Sequence, residues 1–466
     1  MNSEHFSAPL THALISLTTC LLLVSCDHSA HITSSHQIDI ESYNLGSVGA
    51  FSEMINAGVK QLALSSPMST KEMDAFMPEA EKVAGRHDVK VFREKDLMVT
   101  DLFPADIAKG KEVLLLFQLT TLDAYNALKS EWMALQAETN PDPALRQDLS
   151  RRFGRMLSYS PRKINSLLSQ NTPFRTMDDF GIMASNLFLY YKDLEGAERF
   201  YADILGMEMV SDYEMAKIFR MAEDSYLILV DATKGMHTAE EPKTVALALL
   251  TRQLDEWYEF LKTQDIKFKY EFNPGKNPAH DGFVIEDPEG YLLEFERFHQ
   301  HPENEPFIPL LNLTQDISDQ DNPNRKVPTT LNFHATITWL YYKDILHMQG
   351  FMEDVLGLEI VADQGWTKIY KGSDTGFIGL VDERRGMHSF SEKKAVNVSF
   401  ILEDVEGWFN YCLDHQPFNL RSKELGIGPE NKYKAFVGFD PEGYYWEFDT
   451  FYPHNHNQLL LGYLED

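Results

Sequence analysis

Apolar stretches with a period of two alternate with stretches of helical period along the second half of this chain. Tyr291, Leu293 and Phe295 fall on one face of a predicted strand, and Leu292, Glu294 and Glu296 on the other. The strand follows Asp287-Pro288-Glu289-Gly290, whose Asp, Pro and Gly take the first, second and fourth positions of a type I turn. Upstream, residues 185–191, 218–219, 226–230 and 244–250 read as strands. Asp193 caps a predicted helix with Leu194, Ala197, Phe200, Tyr201 and Ile204 on one face, and Gly206 ends it. A second helix covers residues 254–261. The order is strand, helix, strands, run twice.

The unit then recurs. Asp440-Pro441-Glu442-Gly443-Tyr444 repeats the turn and runs into Tyr445-Trp446-Glu447-Phe448. Tyr190-Tyr191-Lys192-Asp193 returns as Tyr341-Tyr342-Lys343-Asp344, Gly235-Met236-His237 as Gly386-Met387-His388, and Trp257 as Trp408. The offset is 151 residues and grows to 153 by the last hairpin, which places two inserted residues in the loop around 421–431. A repeat of this length is a whole domain, since solenoid units run to about 20–50 residues.

The front of the unit, Tyr-Lys-Asp-Leu-Glu-x-Ala-x-x-Phe-Tyr-x-x-Ile-Leu-Gly, and its back, Asp-Pro-Glu-Gly-Tyr-x-x-Glu-Phe, resemble the vicinal oxygen chelate superfamily. That superfamily contains glyoxalase I, extradiol dioxygenases and the fosfomycin- and bleomycin-resistance proteins. The resemblance covers residues 181–299 and 331–453 and implies an α+β fold with two βαβββ modules per domain around a cup. It further implies one divalent metal ion (Fe, Mn, Zn or Ni) where the ligands are kept, or none where they are not. The family's metal enzymes use a first-strand histidine, a second ligand opening the second module, and a last-strand glutamate. Glu294 and Glu447 match that glutamate. The first-strand positions fall on Asn186 and Ile337, and the second-module positions on Ala246 and Asn397, so neither copy keeps a histidine there. His334 lies three residues before Ile337 and reaches the site only through a bulge. The metal candidates are therefore Glu294, Glu447, His334 and Asn397.

His237 and His388 are the repeated histidines. One reading makes Gly-Met-His a turn whose Met plugs the core and whose His caps a carbonyl. The other makes His237 or His388 an acid–base group facing the glutamate. The glutamates are likewise either solvated or lysine-paired carboxylates, or site residues. The aromatics Trp339, Tyr341, Tyr444, Trp446 and Phe448 read as core on the alternate strand face, and Tyr445 and Trp366 as pocket lining.

Residues 13–24 form an apolar run too short to span a bilayer but suited to a signal peptide over 1–26. Its end, Leu23-Val24-Ser25-Cys26, resembles the lipobox of bacterial lipoproteins, although no Lys or Arg precedes it. The resemblance implies a lipid on Cys26, a tether over 27–41, and a place in the cell envelope. Asp27 resembles an inner-membrane retention signal, which puts the protein on the periplasmic face. Cys20 leaves with the leader, and Cys412 aligns with Leu261 as a core residue, so none of the three cysteines supports a disulfide framework.

Residues 42–173 resemble no named family. Strands are predicted at 60–64, 89–92, 97–100 and 112–118, and helices at 70–84, 122–136, 145–157 and 161–168, which makes a small α/β or α+β domain. Arg93, Glu94, Lys95 and Asp96 read as a solvated turn. Arg151, Arg152 and Arg155 form a basic cluster placed to dock on an acidic surface or anionic partner. Residues 300–330 read as a linker and 454–466 as a tail, and the two repeat domains can pair within the chain. A net charge of −29 excludes nucleic acid as a partner. Three readings remain: a membrane-anchored protein binding a small organic molecule in a cup, a metal-dependent lyase, isomerase or dioxygenase with altered ligands, or a function held by the N-terminal domain with the repeats as scaffold.

Overall fold

The computed structural model describes residues 39–317 and 322–465. The predicted leader and Cys26 lie outside the described residues. None of the described helices is long and apolar enough to cross a membrane. Two compact units meet between Tyr159 and Ser160, so the predicted helix at 161–168 belongs to the second unit and not to the N-terminal domain.

The first unit is α+β. It runs α1 (Ile40–Asn56), β1 (Leu62–Leu64), α2 (Thr70–Gly85), β2 (Lys90–Glu94), β3 (Val113–Phe117), α3 (Thr121–Gln136) and α4 (Pro143–Met156), around an antiparallel sheet ordered β1-β3-β2. Asp39 caps α1 by accepting from the Glu41 amide, so the predicted tether ends inside a helix start. Residues 97–100 join no sheet. The supposed solvated turn is the end of β2: Glu94 is buried and accepts from the Tyr125 hydroxyl at 3.1 Å. Arg93 reaches Glu112 at 2.5 Å and Asp74 at 2.6 Å. The basic cluster is also spent locally, with Arg152 forked on Glu131 at 2.6 and 2.8 Å, Arg155 3.9 Å from Asp148, and Arg151 buried.

The second unit opens with α5 (Pro161–Asn171). The first repeat follows as β4 (Ile182–Tyr191), α6 (Leu194–Arg199), β5 (Glu208–Asp212), β6 (Ala216–Ala222) and β7 (Ser225–Asp231). Its second module is β8 (Val245–Leu250), α7 (Leu254–Leu261), β9 (Lys267–Tyr270), β10 (His280–Glu286) and β11 (Leu292–Phe298), with α8 (Phe307–Leu311) beyond. The second repeat is β12 (Ala335–Tyr342), α9 (Ile345–Gly350), β13 (Glu359–Asp363), β14 (Thr367–Lys371) and β15 (Gly376–Asp382), then β16 (Val396–Leu402) and α10 (Val405–His415). It ends with β17 (Asn419–Leu420), β18 (Gly426–Ile427), β19 (Tyr433–Phe439), β20 (Tyr445–Phe451) and α11 (Gln458–Glu465). Both repeats are thus paired βαβββ modules. In each, the first helix passes into a π-helical turn, Phe200–Ile204 and Phe351–Leu356.

The repeats do not close on themselves. One sheet runs β13-β14-β15-β12-β8-β11-β10-β9, and the other runs β17-β19-β20-β16-β4-β7-β6-β5 with β18 beside β19. Each sheet therefore takes one module from each repeat, joined by the antiparallel pairs β12–β8 and β4–β16. The helices cover one face of both sheets in a shared core holding Trp257, Phe295, Tyr342, Trp408, Trp446, Phe448 and Cys412. The opposite faces carry separate clusters, one around Trp339, Tyr341 and Ile337 and one around Tyr190, Ile228 and Ile401. Trp339 and Tyr341 are thus buried core on one face of their sheet, and Tyr444, Trp446 and Phe448 core on the helix side, as expected.

The two repeated motifs hold each other. Asp287, buried at its turn, accepts from Tyr191 at 2.6 Å and Tyr201 at 3.1 Å, and Asp440 accepts from Tyr342 at 2.7 Å and Trp446 at 3.1 Å. Glu289 accepts from the Lys192 and Asp193 amides, as Glu442 does from those of Lys343 and Asp344. The Tyr291 hydroxyl accepts from the Tyr190 amide at 2.9 Å and donates to the Ala395 carbonyl of the other repeat at 2.7 Å. Tyr444 does the same with the Tyr341 amide and the Thr244 carbonyl.

The repeat also extends past its predicted ends. His301 and His454 cap short helical turns, Asn304 and Asn457 bond two carbonyls each, and Phe307 and Leu460 are buried. The start of the linker and the whole tail are therefore the last elements of the two domains, and α11 packs Leu460 into the cluster around Tyr190 and Ile228.

Tyr444→Phe leaves the Tyr341 amide buried without an acceptor and cuts the bond to the other repeat. A loss on the order of 2 kcal/mol is expected, measured by urea denaturation, with Tyr291→Phe giving a similar loss.

Candidate functional site

Register places the site. Across β4, β16 and β20, Asn186, Ser399 and Glu447 share one rung, and across β12, β8 and β11 so do Ile337, Ala248 and Glu294. The exchange of modules decides the partners: Glu447 shares its sheet with Asn186 of the first repeat, and Glu294 shares its sheet with Ile337 of the second. A strand side chain two residues on returns to the same face. Asp449 therefore stands beside Glu447, and Glu296 beside Glu294.

The cup of the nine-stranded sheet has a volume of about 380 Å³. Phe188, Ile218, Ile228, Val230 and Phe451 wall it, with Glu447 and Asp449 at its floor. Both carboxyls are pushed up from the ordinary carboxylate range, chiefly by burial, with the Asp449 charge adding to the rise at Glu447. Among the described residues neither has a lysine partner, against the paired-carboxylate reading. Ser399 donates to Asp449 at 2.5 Å. The Asn186 amide, buried on the same face, lies near Asp449 with neither amide atom in a hydrogen bond.

His237 reaches this floor from the loop after β7. Gly235 lets that loop press on the Tyr190 ring, where a Cβ would come within 2.6 Å of a ring carbon. The imidazole lies edge-on to Tyr190 and against Tyr445, with ring centroids 4.9 and 4.4 Å away. Its Nδ1 is 2.7 Å from Glu241 and its Nε2 is 3.0 Å from the Asn397 Oδ1. The Asn397 Nδ2 donates to Glu447 at 2.6 Å. A continuous chain, Glu241–His237–Asn397–Glu447, thus crosses from one repeat to the other.

Two proton arrangements of this chain differ in the orientation of the Asn397 amide. In one, His237 is an imidazolium donating to both neighbours and Glu447 is ionised. In the other, the Asn397 amide is turned over, His237 is neutral with its proton on Nδ1, and Glu447 is protonated. The two hold the same number of protons. Burial lowers the His237 pKa and raises that of Glu447, so both shifts favour the second arrangement.

The eight-stranded sheet lacks this chain. Ala246 stands where Asn397 does, and the His388 Nε2 is buried without a partner beside Tyr341, whose ring centroid is 5.0 Å away. Burial lowers His388 to about 4, offset in part by its hydrogen bond to the Val245 backbone, which is the carbonyl-capping role expected of the loop. Glu294 and Glu296 line a cleft of about 740 Å³ with Tyr270, Asn273, Lys276 and His280. Burial raises both acids, and Glu296 is raised further by the Glu294 charge. Glu294 is half-buried and keeps part of its surface open to this cleft. His334 joins neither carboxylate: its Nδ1 meets the Thr314 hydroxyl at 2.6 Å, and burial lowers it to about 4.

The family's metal does not fit these residues. Among the described residues no three His, Cys, Asp or Glu stand together as a ligand set. In either orientation the Asn397 amide is taken up between His237 and Glu447, and one amide oxygen beside one carboxylate is a poor set for a transition metal. At the other rung Ile337 and Ala248 offer only hydrocarbon. The sequence pattern assigns Asp449 and Glu296 no role, although an acid two residues after the glutamate is kept in both repeats.

Residues 183–295 match the family model of the Glyoxalase/Bleomycin resistance protein/Dioxygenase superfamily. Similar solved structures include glyoxalase I from Zea mays, at 15% identity and a TM-score of 0.42 over 61% of this chain and 95% of that one. The cppA protein from Streptococcus pneumoniae is similar at 14% identity and a TM-score of 0.32, over 58% and 98%. Lactoylglutathione lyase from Agrobacterium tumefaciens is similar at 22% identity and 0.21, over 24% and 90%. No curated protein matches the chain.

A carboxyl whose folded pKa is raised binds more protons folded than unfolded, so its contribution to stability is full below the ordinary pKa of about 4 and is lost as pH rises through the folded value. Glu447→Gln keeps an amide partner for Asn397 but does not ionise. Its stability relative to the parent is expected to rise steadily between acid and mildly alkaline pH. The gain is about 1.4 kcal/mol for every tenfold by which folding strengthens proton binding at Glu447, as followed by denaturation at several pH values.

Proposed function

We propose that this protein binds a small organic molecule in the cup of the nine-stranded sheet, with the Glu447–Asp449 pair recognising its polar end. The observation that carries the reading is a pair of buried acids, without cationic partners, at the floor of a cavity whose walls are aliphatic and aromatic. A cavity of about 380 Å³ falls within the roughly 300–1,000 Å³ of ligand pockets, and a few converging polar groups on an apolar lining are what such pockets use for orientation. The superfamily match of the first repeat supports the same kind of function.

A second reading, an acid–base enzyme, is favoured by the chain from Glu241 to Glu447, which supplies Glu447 with a proton donor and acceptor behind it. The metal-dependent lyase, isomerase or dioxygenase has no ligand set among the described residues. As part of the proposal, Cys26 carries a lipid that holds the protein at the inner membrane facing the periplasm. Globomycin should then leave a larger precursor, and an unchanged size removes the anchor.

Ala216, half-buried on β6, lines the cup. Ala216→Trp fills it from the side. A ligand found by thermal-shift screening of the parent protein should lose about tenfold or more in affinity for this variant. Undiminished binding places the ligand elsewhere.

Asn397→Ala copies the rung of the other sheet. It should cost about 1–3 kcal/mol by orphaning the buried Glu447 and His237 groups. In the parent, nitrogen NMR should find His237 neutral with its proton on Nδ1 at pH 7. An imidazolium there would assign the other proton arrangement.

A further inference from the structure

The mouth of the same cup carries charge that the fold does not use. Arg421 is exposed at the cup's edge, and among the described residues its side chain has no ion pair or hydrogen bond. It is nevertheless close enough for its charge to act on Glu447, Tyr190 and His237. Lys432, also at the mouth, has no ion pair among the described residues and lies 5.8 Å from the centroid of the Tyr213 ring. The third cation there, Lys234, is 3.4 Å from Asp231.

In a chain of net charge −29, cations find acidic partners readily, and two at a single cavity that make no ion pair among the described residues, although the Lys432 charge acts on Glu430, are informative. Both come from the segment in which the second repeat is two residues longer than the first, and the first repeat has Ala279 at the position of Lys432. The pair of Arg421 and Lys432 is thus particular to this cup, the cleft of the other sheet having Lys276 in its lining.

We propose that the ligand of this cup is an organic anion, a carboxylate on an apolar aryl or alkyl body, with its charge at Arg421 and Lys432 and its body between Phe188, Ile228 and Phe451. This rests on the binding reading above and adds the class of ligand. The floor agrees with it. With burial keeping a proton on the Glu447–Asp449 pair, the floor offers a hydrogen-bond donor to a carbonyl or hydroxyl at the far end of the ligand. An ammonium group placed at the mouth would meet the same sign of charge. Arg421 suits a carboxylate, because its guanidinium donates two parallel hydrogen bonds to it.

The test is calorimetric titration of the full-length chain with two matched sets: a naphthoate, its amide and the corresponding naphthylmethylamine, and octanoate, octanamide and octylamine. In at least one set the carboxylate should bind about tenfold or more tightly than its amide. Added salt should narrow that gap, since the charges at the mouth are exposed. Arg421→Gln combined with Lys432→Gln, both at the surface, should erase the gap while leaving the amide's affinity unchanged. Equal binding of acid and amide, or tightest binding by the amine, overturns the anionic class and leaves the cup as a binding site. Failure of all six compounds to bind removes the binding reading and this inference with it.

Discussion

The hydroxyls of Tyr291 and Tyr444 hold this fold at the points where its two halves are exchanged. Each accepts from a backbone amide of its own repeat and donates to a backbone carbonyl of the other, beside the strand pairs that join the modules. Those four groups are buried, and an unpaired buried amide or carbonyl costs as much as a lost hydrogen bond. The aspartate that opens each turn is tied to the preceding module by tyrosine hydroxyls, so turn, helix start and strand end form one clamp.

Module exchange gives each cup residues from both repeats, and this allows two copies of one domain to build two unlike sites. In the nine-stranded sheet, asparagines at both the first-strand and second-module positions accompany Glu447, and a histidine of the first repeat joins them. In the eight-stranded sheet, the corresponding positions are isoleucine and alanine, and the histidine retires to a carbonyl. Divergence at a handful of inward positions is enough, because the core on the helix side is shared and does not depend on them.

The residues lost from the family pattern and those kept have a common explanation. The glutamates remain where the family places a metal ligand, yet each now faces a second acid on the same strand, Asp449 or Glu296. Two buried acids without a cation are most stable holding a proton between them. Such a floor can offer a hydrogen bond but no set of charged ligands for an ion. Its partner group at the mouth, Arg421, comes from the inserted loop that distinguishes the second repeat.

Sequence by itself determined the modules. Period-two alternation after Asp-Pro-Glu-Gly-Tyr assigned Phe295 and Phe448 to the core face and Glu294 and Glu447 to the other, because a strand side chain has only two sides to choose from. The cap of α6, set by Asp193, was equally local. The domain ends were less legible: α8 and α11 are short, and only the burial of Phe307 and Leu460 makes them part of the domains. Which repeat supplies which wall of a cup was not readable at all. Strand neighbours 85 or more residues apart leave no periodic trace, so only the tertiary structure could bring His237 to Glu447, keep His388 from it, and seat His334 on Thr314.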